Sequence, residues 1–120
     1  MVEQIHGVPV LHCAPEGHRL GAEREATDLI GEAWSRQANT VVIPVTRLSE
    51  EFFRLETRLL GDFAQKFVNY GIRLVFLGDV SAHAARSSAL TSYLRETNRG
   101  KHVWFLADRA ELTARLAPAG

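Results

Sequence analysis

With a single cysteine in 120 residues, Cys13, no internal disulfide can form, and the fold must rest on packing alone. That composition suits a reducing compartment, and a cytoplasmic protein is expected. Charge of one sign is missing too: fourteen Lys and Arg residues balance fourteen Asp and Glu. A neutral chain lacks the footprint that drives non-specific nucleic-acid binding, so nucleic acid is not an expected partner, although a local patch can survive the averaging. No apolar run approaches membrane-spanning length, and Met1-Val2-Glu3-Gln4 places no basic region ahead of an apolar core. Neither a membrane helix nor a secretory signal is expected. Gly78 and Gly100 belong to no G-x-G-x-x-G or Walker pattern, which disfavours dinucleotide and phosphate-loop enzymes, and no cofactor is implied.

What is present is alternation. Gln65 to Asp79 and Glu96 to Leu106 each end an amphipathic helix, turn through a glycine and enter a short apolar strand. This is the pattern of an α/β domain, and at 120 residues one domain, 1–120, is expected. Gln4 to Cys13 reads as a hairpin turning at His6-Gly7, with Pro9 at an edge or a strand start. Ala22, Ala26, Leu29, Ile30, Ala33 and Trp34 recur at helical spacing and predict a helix over about Ala22–Gln37. Val41-Val42-Ile43 is a buried strand. Ser49 is expected to cap a long helix whose core stripe is Phe52, Leu55, Leu59, Phe63 and Phe67, ended by Gly71. Ile72–Leu77 is the next strand and Asp79–Arg86 a loop. Ser87 or Ser88 then caps a helix that turns Leu90, Tyr93 and Leu94 inward. Val103–Leu106 is the last strand, and Asp108 caps a short helix with Leu112 and Leu116. The expected architecture is a central, mostly parallel sheet with an N-terminal hairpin and about four helices.

Asn98-Arg99-Gly100 could hydrogen-bond an anion or a partner's carbonyls, or simply end a helix with a cation near exposed carbonyls and a glycine in the left-handed region. Asp79 closes a central strand, where ligands bind in open α/β sheets, yet aspartate is also a routine turn former. His12 and His83 fall near strand ends and, with Asp79, are the candidates for proton transfer, although no nucleophile partner is visible. His12, His18, His83 and His102 show no i, i+4 pairing, so no metal site is expected. Cys13 reads as a small buried hydrophobe. Lys66 and Arg73 flank Tyr70, which allows a cation–π contact, and Trp34 and Trp104 are expected in the core.

Val41-Val42-Ile43-Pro44, Phe52-Phe53-x-Leu55-x-Thr57, Gln65-Lys66-Phe67-x-Asn69-Tyr70, Arg73-Leu74, Gly78-Asp79 and Asn98-Arg99-Gly100 resemble a bacterial family known as domain of unknown function 4180. Asp28-Leu29-Ile30 extends the match through the first helix. The order of elements is also similar, more distantly, to the STAS domain of anti-sigma factor antagonists. There a phosphorylatable serine opens the second helix in a pattern of acidic residue, serine, serine, glycine, leucine. Glu56-Thr57-Arg58-Leu59 can be laid on it, which implies a regulatory hydroxyl at Thr57, with Arg58 where the pattern has glycine. The expected function is recognition of another protein or a small ligand by a surface around Thr57, Arg58, Asp79, Asn98 and Arg99. A small cofactor-independent enzyme with a pocket at the strand ends is the rival, and a self-assembling homodimer the third reading.

Overall fold

The computed structural model describes residues 1–118. Its centre is one five-stranded sheet built from β1 (Val2–Ile5), β2 (Val8–His12), β3 (Thr40–Pro44), β4 (Arg73–Leu77) and β5 (Val103–Leu106), in that order across the sheet. β1 and β2 are antiparallel and every other neighbouring pair is parallel. The hairpin closes through two residues, His6 (φ 51°) and Gly7 (φ 80°), whose left-handed backbones match the twist of the strands they join. Pro9 lies on an internal strand, yet pairing with β3 begins only at Val10, so its missing N–H costs the sheet nothing on that side.

The helices are α1 (Glu23–Ser35), α2 (Leu59–Asn69), α3 (Ser81–Ala85), α4 (Ser88–Arg99) and α5 (Arg109–Leu116). The strand order never reverses, and right-handed crossovers between successive neighbours put their helices on one face. Ile30 of α1, Phe63 and Phe67 of α2 and Leu90 of α4 accordingly share a core with Leu11, Val41, Ile43, Leu74, Phe76 and Phe105. Phe52 stands at its centre, edge-on to Phe53, Phe63 and Phe76 at 5.7, 5.4 and 5.6 Å. The opposite face, carrying Ile5, Val10, Val42, Val75, Trp104 and Leu106, is covered by Leu112 and Leu116 of α5. Arg109 at the start of α5 pairs with Glu3 on β1, and Arg115 near its end lies over Trp104 on β5. The short helix therefore crosses the sheet from one edge strand to the other.

Several elements depart from the expectation. The long helix foreseen from Ser49 is broken: 3₁₀ turns occupy Glu50–Phe53 and Leu55–Thr57, and the α-helix starts only at Leu59. Arg58 breaks it by adopting a left-handed backbone (φ 65°), and the Thr57 hydroxyl competes for the ladder by donating to the Arg54 carbonyl at 2.8 Å. The Asp79–Arg86 loop contains a helical turn, α3. Trp34 is 53% exposed, because it lies beside the stripe of Ala26, Ile30 and Ala33 that α1 buries, and its partner is Tyr70 at 5.3 Å. Trp104 is in the core as expected. Gly100 is not left-handed (φ −84°), whereas Gly71 ends α2 at φ 71° as expected, and Gly78 has φ 141° where a side chain would meet Val45 at 3.0 Å.

Candidate functional site

A sheet whose strand order never reverses has no interior switch point, the usual crevice of open α/β sheets. Its concave surfaces are instead made by loops at the C-terminal ends of the strands. The larger is a cleft of about 630 Å³ beyond β2, between the 13–22 segment and α1. Leu11, Cys13, Leu20 and Leu29 supply apolar walls, and Glu25, Asp28 and Glu32 line it from α1. Those three carboxylates share one side of the helix because their spacings, three and four residues, are helical.

Backbone contacts far apart in sequence hold the cleft's outer wall. Arg47 donates from Nη1 to the Ala14 carbonyl at 2.7 Å and from Nε to the His18 carbonyl at 3.0 Å. Gly17 sits at φ 131°, a backbone that favours glycine, with the Arg47 guanidinium 3.1 Å from where a side chain would begin. Arg19 returns the contact by donating to the Leu48 carbonyl at 2.8 Å. The other end is pinned by Glu25, whose Oε1 accepts the Gly21 and Ala22 N–H groups, each at 2.9 Å, while Oε2 meets His18 at 2.9 Å. Burial pushes the Glu25 carboxyl up, but these hydrogen bonds outweigh it and hold the group below the ordinary carboxylate range. Glu32 pairs with Arg36 at 3.2 Å, whereas Asp28 has no ion pair among the described residues.

Cys13 is partly buried in this wall, not a core residue. Desolvation pushes its thiol up to about 11, so at neutral pH it is a protonated, apolar lining group. His12, the next residue back on the strand, points to the opposite face, as alternation requires, and no thiol–imidazole pair forms. Its Nε2 is 2.9 Å from Glu3 Oε1, but off the direction a hydrogen bond needs.

A second cleft, about 470 Å³, lies between the 3₁₀ turns after β3 and the α3–α4 junction, lined by Glu50, Phe53, Arg54, Glu56, His83 and Arg86 among others. His83 stacks on Phe53 with ring centroids 4.2 Å apart. Asp79 lines neither cleft; its carboxylate accepts the Ser81 N–H at 2.8 Å, and that bond holds it below the ordinary range. The three candidates for proton transfer are thus separate: His12 and His83 border different clefts and Asp79 caps α3. Among the described residues no three His, Cys, Asp or Glu side chains gather as a metal would require, and no helix is long and apolar enough to cross a membrane.

The proposed recognition residues divide between two ends of the sheet. Thr57 and Arg58 are exposed at the start of α2, with Thr57 accepting the Leu59 N–H at 3.3 Å. Asn98 and Arg99 end α4, at the other end. Asn98 is engaged with β5, donating from Nδ2 to the Phe105 carbonyl at 3.1 Å and accepting the Phe105 N–H. Arg99 is exposed and 3.7 Å from Glu96. Arg73 stacks on Trp104 rather than Tyr70, and Lys66 pairs with Glu23 at 3.3 Å.

A family model described as Domain of unknown function (DUF4180) matches residues 5–116, nearly the whole chain. The chain belongs to the DUF4180 family. No curated protein and no solved structure matches this DUF4180 domain, and the likeness to STAS domains rests on the sequence pattern alone. The larger cleft was the part of the DUF4180 domain least visible in sequence. Glu25, Asp28 and Glu32 look like any solvated helix face, and nothing local to Arg47 signals bonds to residues 29 and 33 positions earlier.

Proposed function

We propose that this domain binds a small amphipathic ligand in the cleft beyond β2. The observation that carries the reading is the cleft itself: about 630 Å³, within the range of small-molecule sites, with leucine walls and a row of carboxylates along one side. Asp28 and Glu32 suit a ligand with a hydrogen-bond donor or amine at one end, while Leu11, Leu20 and Leu29 suit an apolar body. Binding needs no nucleophile, and Cys13, held protonated by burial, contributes surface rather than chemistry.

A thermal-shift screen of small amines, alcohols and acids against the wild-type chain and an Ala14→Trp variant tests this. Ala14 is exposed and lines the cleft, so a tryptophan there fills space without disturbing the core. Compounds that raise the wild-type melting temperature should lose most of that effect in the variant, and amines should also weaken in Asp28→Asn. Equal stabilisation of both proteins, or none of either by any compound, removes the reading.

A further inference from the structure

The second cleft holds charge of both signs that the fold leaves unpaired. Glu50, Arg54 and Glu56 line it from the 3₁₀ segment, and Arg86 lines it from the α3–α4 junction. None of the four makes an ion pair among the described residues. Elsewhere exposed charges do pair. Glu32 and Arg36, four apart on α1, meet at 3.2 Å, and Lys66 of α2 reaches Glu23 at 3.3 Å.

Glu50 and Arg54 have the same spacing as Glu32 and Arg36 and would be neighbours on an α-helix. The backbone denies them that arrangement. Glu50 lies in a 3₁₀ turn, and Arg54 leaves it with an extended backbone (φ −88°, ψ 108°). Two hydroxyl side chains hold the break. Ser49 Oγ accepts the Phe52 N–H at 3.3 Å, and the Thr57 hydroxyl is directed at the Glu51 and Arg54 carbonyls, 3.1 and 2.8 Å away. Beside the charges the wall is firm: Phe53 is buried, and the His83 ring lies on it at 18° to its plane.

We propose that this cleft binds a zwitterionic small molecule of the α-amino-acid class. Its volume of about 470 Å³ is in the range of small-molecule sites. Two carboxylates and two guanidiniums line it together, so an ion of either sign would be repelled by one set while attracted by the other. A ligand carrying both charges offers each set the sign it needs. The guanidinium forks suit a carboxylate, and Glu50 and Glu56 can accept from the three N–H groups of an ammonium. This cleft shares no lining residue with the one beyond β2, so occupancy of either is independent evidence.

Ring C–H signals of His83 report from this cleft and those of His18 from the larger one. Titrating the wild-type chain with the standard L-amino acids should shift the His83 signals saturably for at least one of them and leave His18 unmoved. The N-acetyl and primary-amide derivatives of that amino acid, which lack the positive and the negative charge respectively, should each bind at least about tenfold more weakly, the scale of one lost charged contact. The double variants Arg54→Gln/Arg86→Gln and Glu50→Gln/Glu56→Gln should lose affinity by a similar factor, while Ala14→Trp, which fills the other cleft, keeps it. All four charged positions are exposed, and melting curves check that the variants fold; the comparison of derivatives needs no variant. His83 signals that no amino acid moves, a derivative that binds as tightly as its parent, a folded double variant that keeps full affinity, or a response lost in Ala14→Trp overturns the proposal.

Discussion

The two faces of the sheet are stabilised by different physics. On one, α1, α2 and α4 bury a continuous aliphatic and phenylalanine core, with Phe52, Phe63, Phe67 and Phe76 fully enclosed. On the other, a helix of eight residues covers Ile5, Val10, Val42, Val75 and Trp104 with two leucines, while arginines at its ends fasten it to Glu3 and Trp104. An eight-residue helix is too short to hold its shape alone, so its order is borrowed from those contacts. The thick face should answer to side-chain volume, the thin face to charge as well.

The sharpest way to break that contrast is Phe63→Ala, which should cost about 3–5 kcal/mol in a denaturant titration, the range for a truncated buried aromatic. A cost below about 1 kcal/mol would mean that α2 does not anchor the core. Leu112→Ala on the thin face should cost less, about 2–3 kcal/mol, since a short helix can shift to refill the space. Hydrogen exchange should then show α5 opening before β3 and β4. Simultaneous opening would erase the distinction between the faces.

Asn98→Ala should cost about 1–2 kcal/mol, because it strips both partners from the Phe105 backbone, while Arg99→Ala stays within about 0.5 kcal/mol. Similar losses for the two would show that Asn98 is not the structural member of the pair. The smallest effect concerns acid. The Arg109 hydrogen bond holds the Glu3 carboxyl below its ordinary value of 4.5, so the contribution of this pair is present above that pH and fades as pH falls through the lowered folded value. Melting temperatures from ~pH 7 to ~pH 3 should therefore show Glu3→Gln less stable than wild type at the upper end and converging with it at the lower. Parallel curves would leave the tether without a role.

Element order was legible from periodicity because each strand is short, apolar and bounded by a turn residue, and because Asp108 and Ser87 cap their helices as their side chains suggest. Register at the hairpin followed from His6-Gly7. What local pattern could not show was the break at Arg58, since arginine favours helix and only the surrounding contacts hold it left-handed. Trp34 misled for a related reason: helical spacing groups residues on a face but does not show that the buried stripe of α1 is only as wide as Ala26, Ile30 and Ala33. Asn98 was read either as a recognition residue or as part of a helix end; its partners on β5 lie seven residues on and become neighbours only after the chain turns back. The cleft was invisible because Arg47 acts through backbone carbonyls 29 and 33 residues earlier, and such bonds leave no side-chain pattern to read, whereas Glu25 bonds Gly21 and Ala22 just ahead of its own helix.

Asn98 also bears on how this sheet meets other chains. Phe105 sits on an outer strand, where its N–H and carbonyl would otherwise present a template to an incoming strand; the Asn98 amide satisfies both, as a neighbouring backbone would. A strand docking on β5 would first have to displace that amide, whereas β1, the other border, has no such plug among the described residues. A sheet with two open borders can add copies at each and grow into a fibre. The Asn98 amide takes the Phe105 groups out of that template on the β5 border.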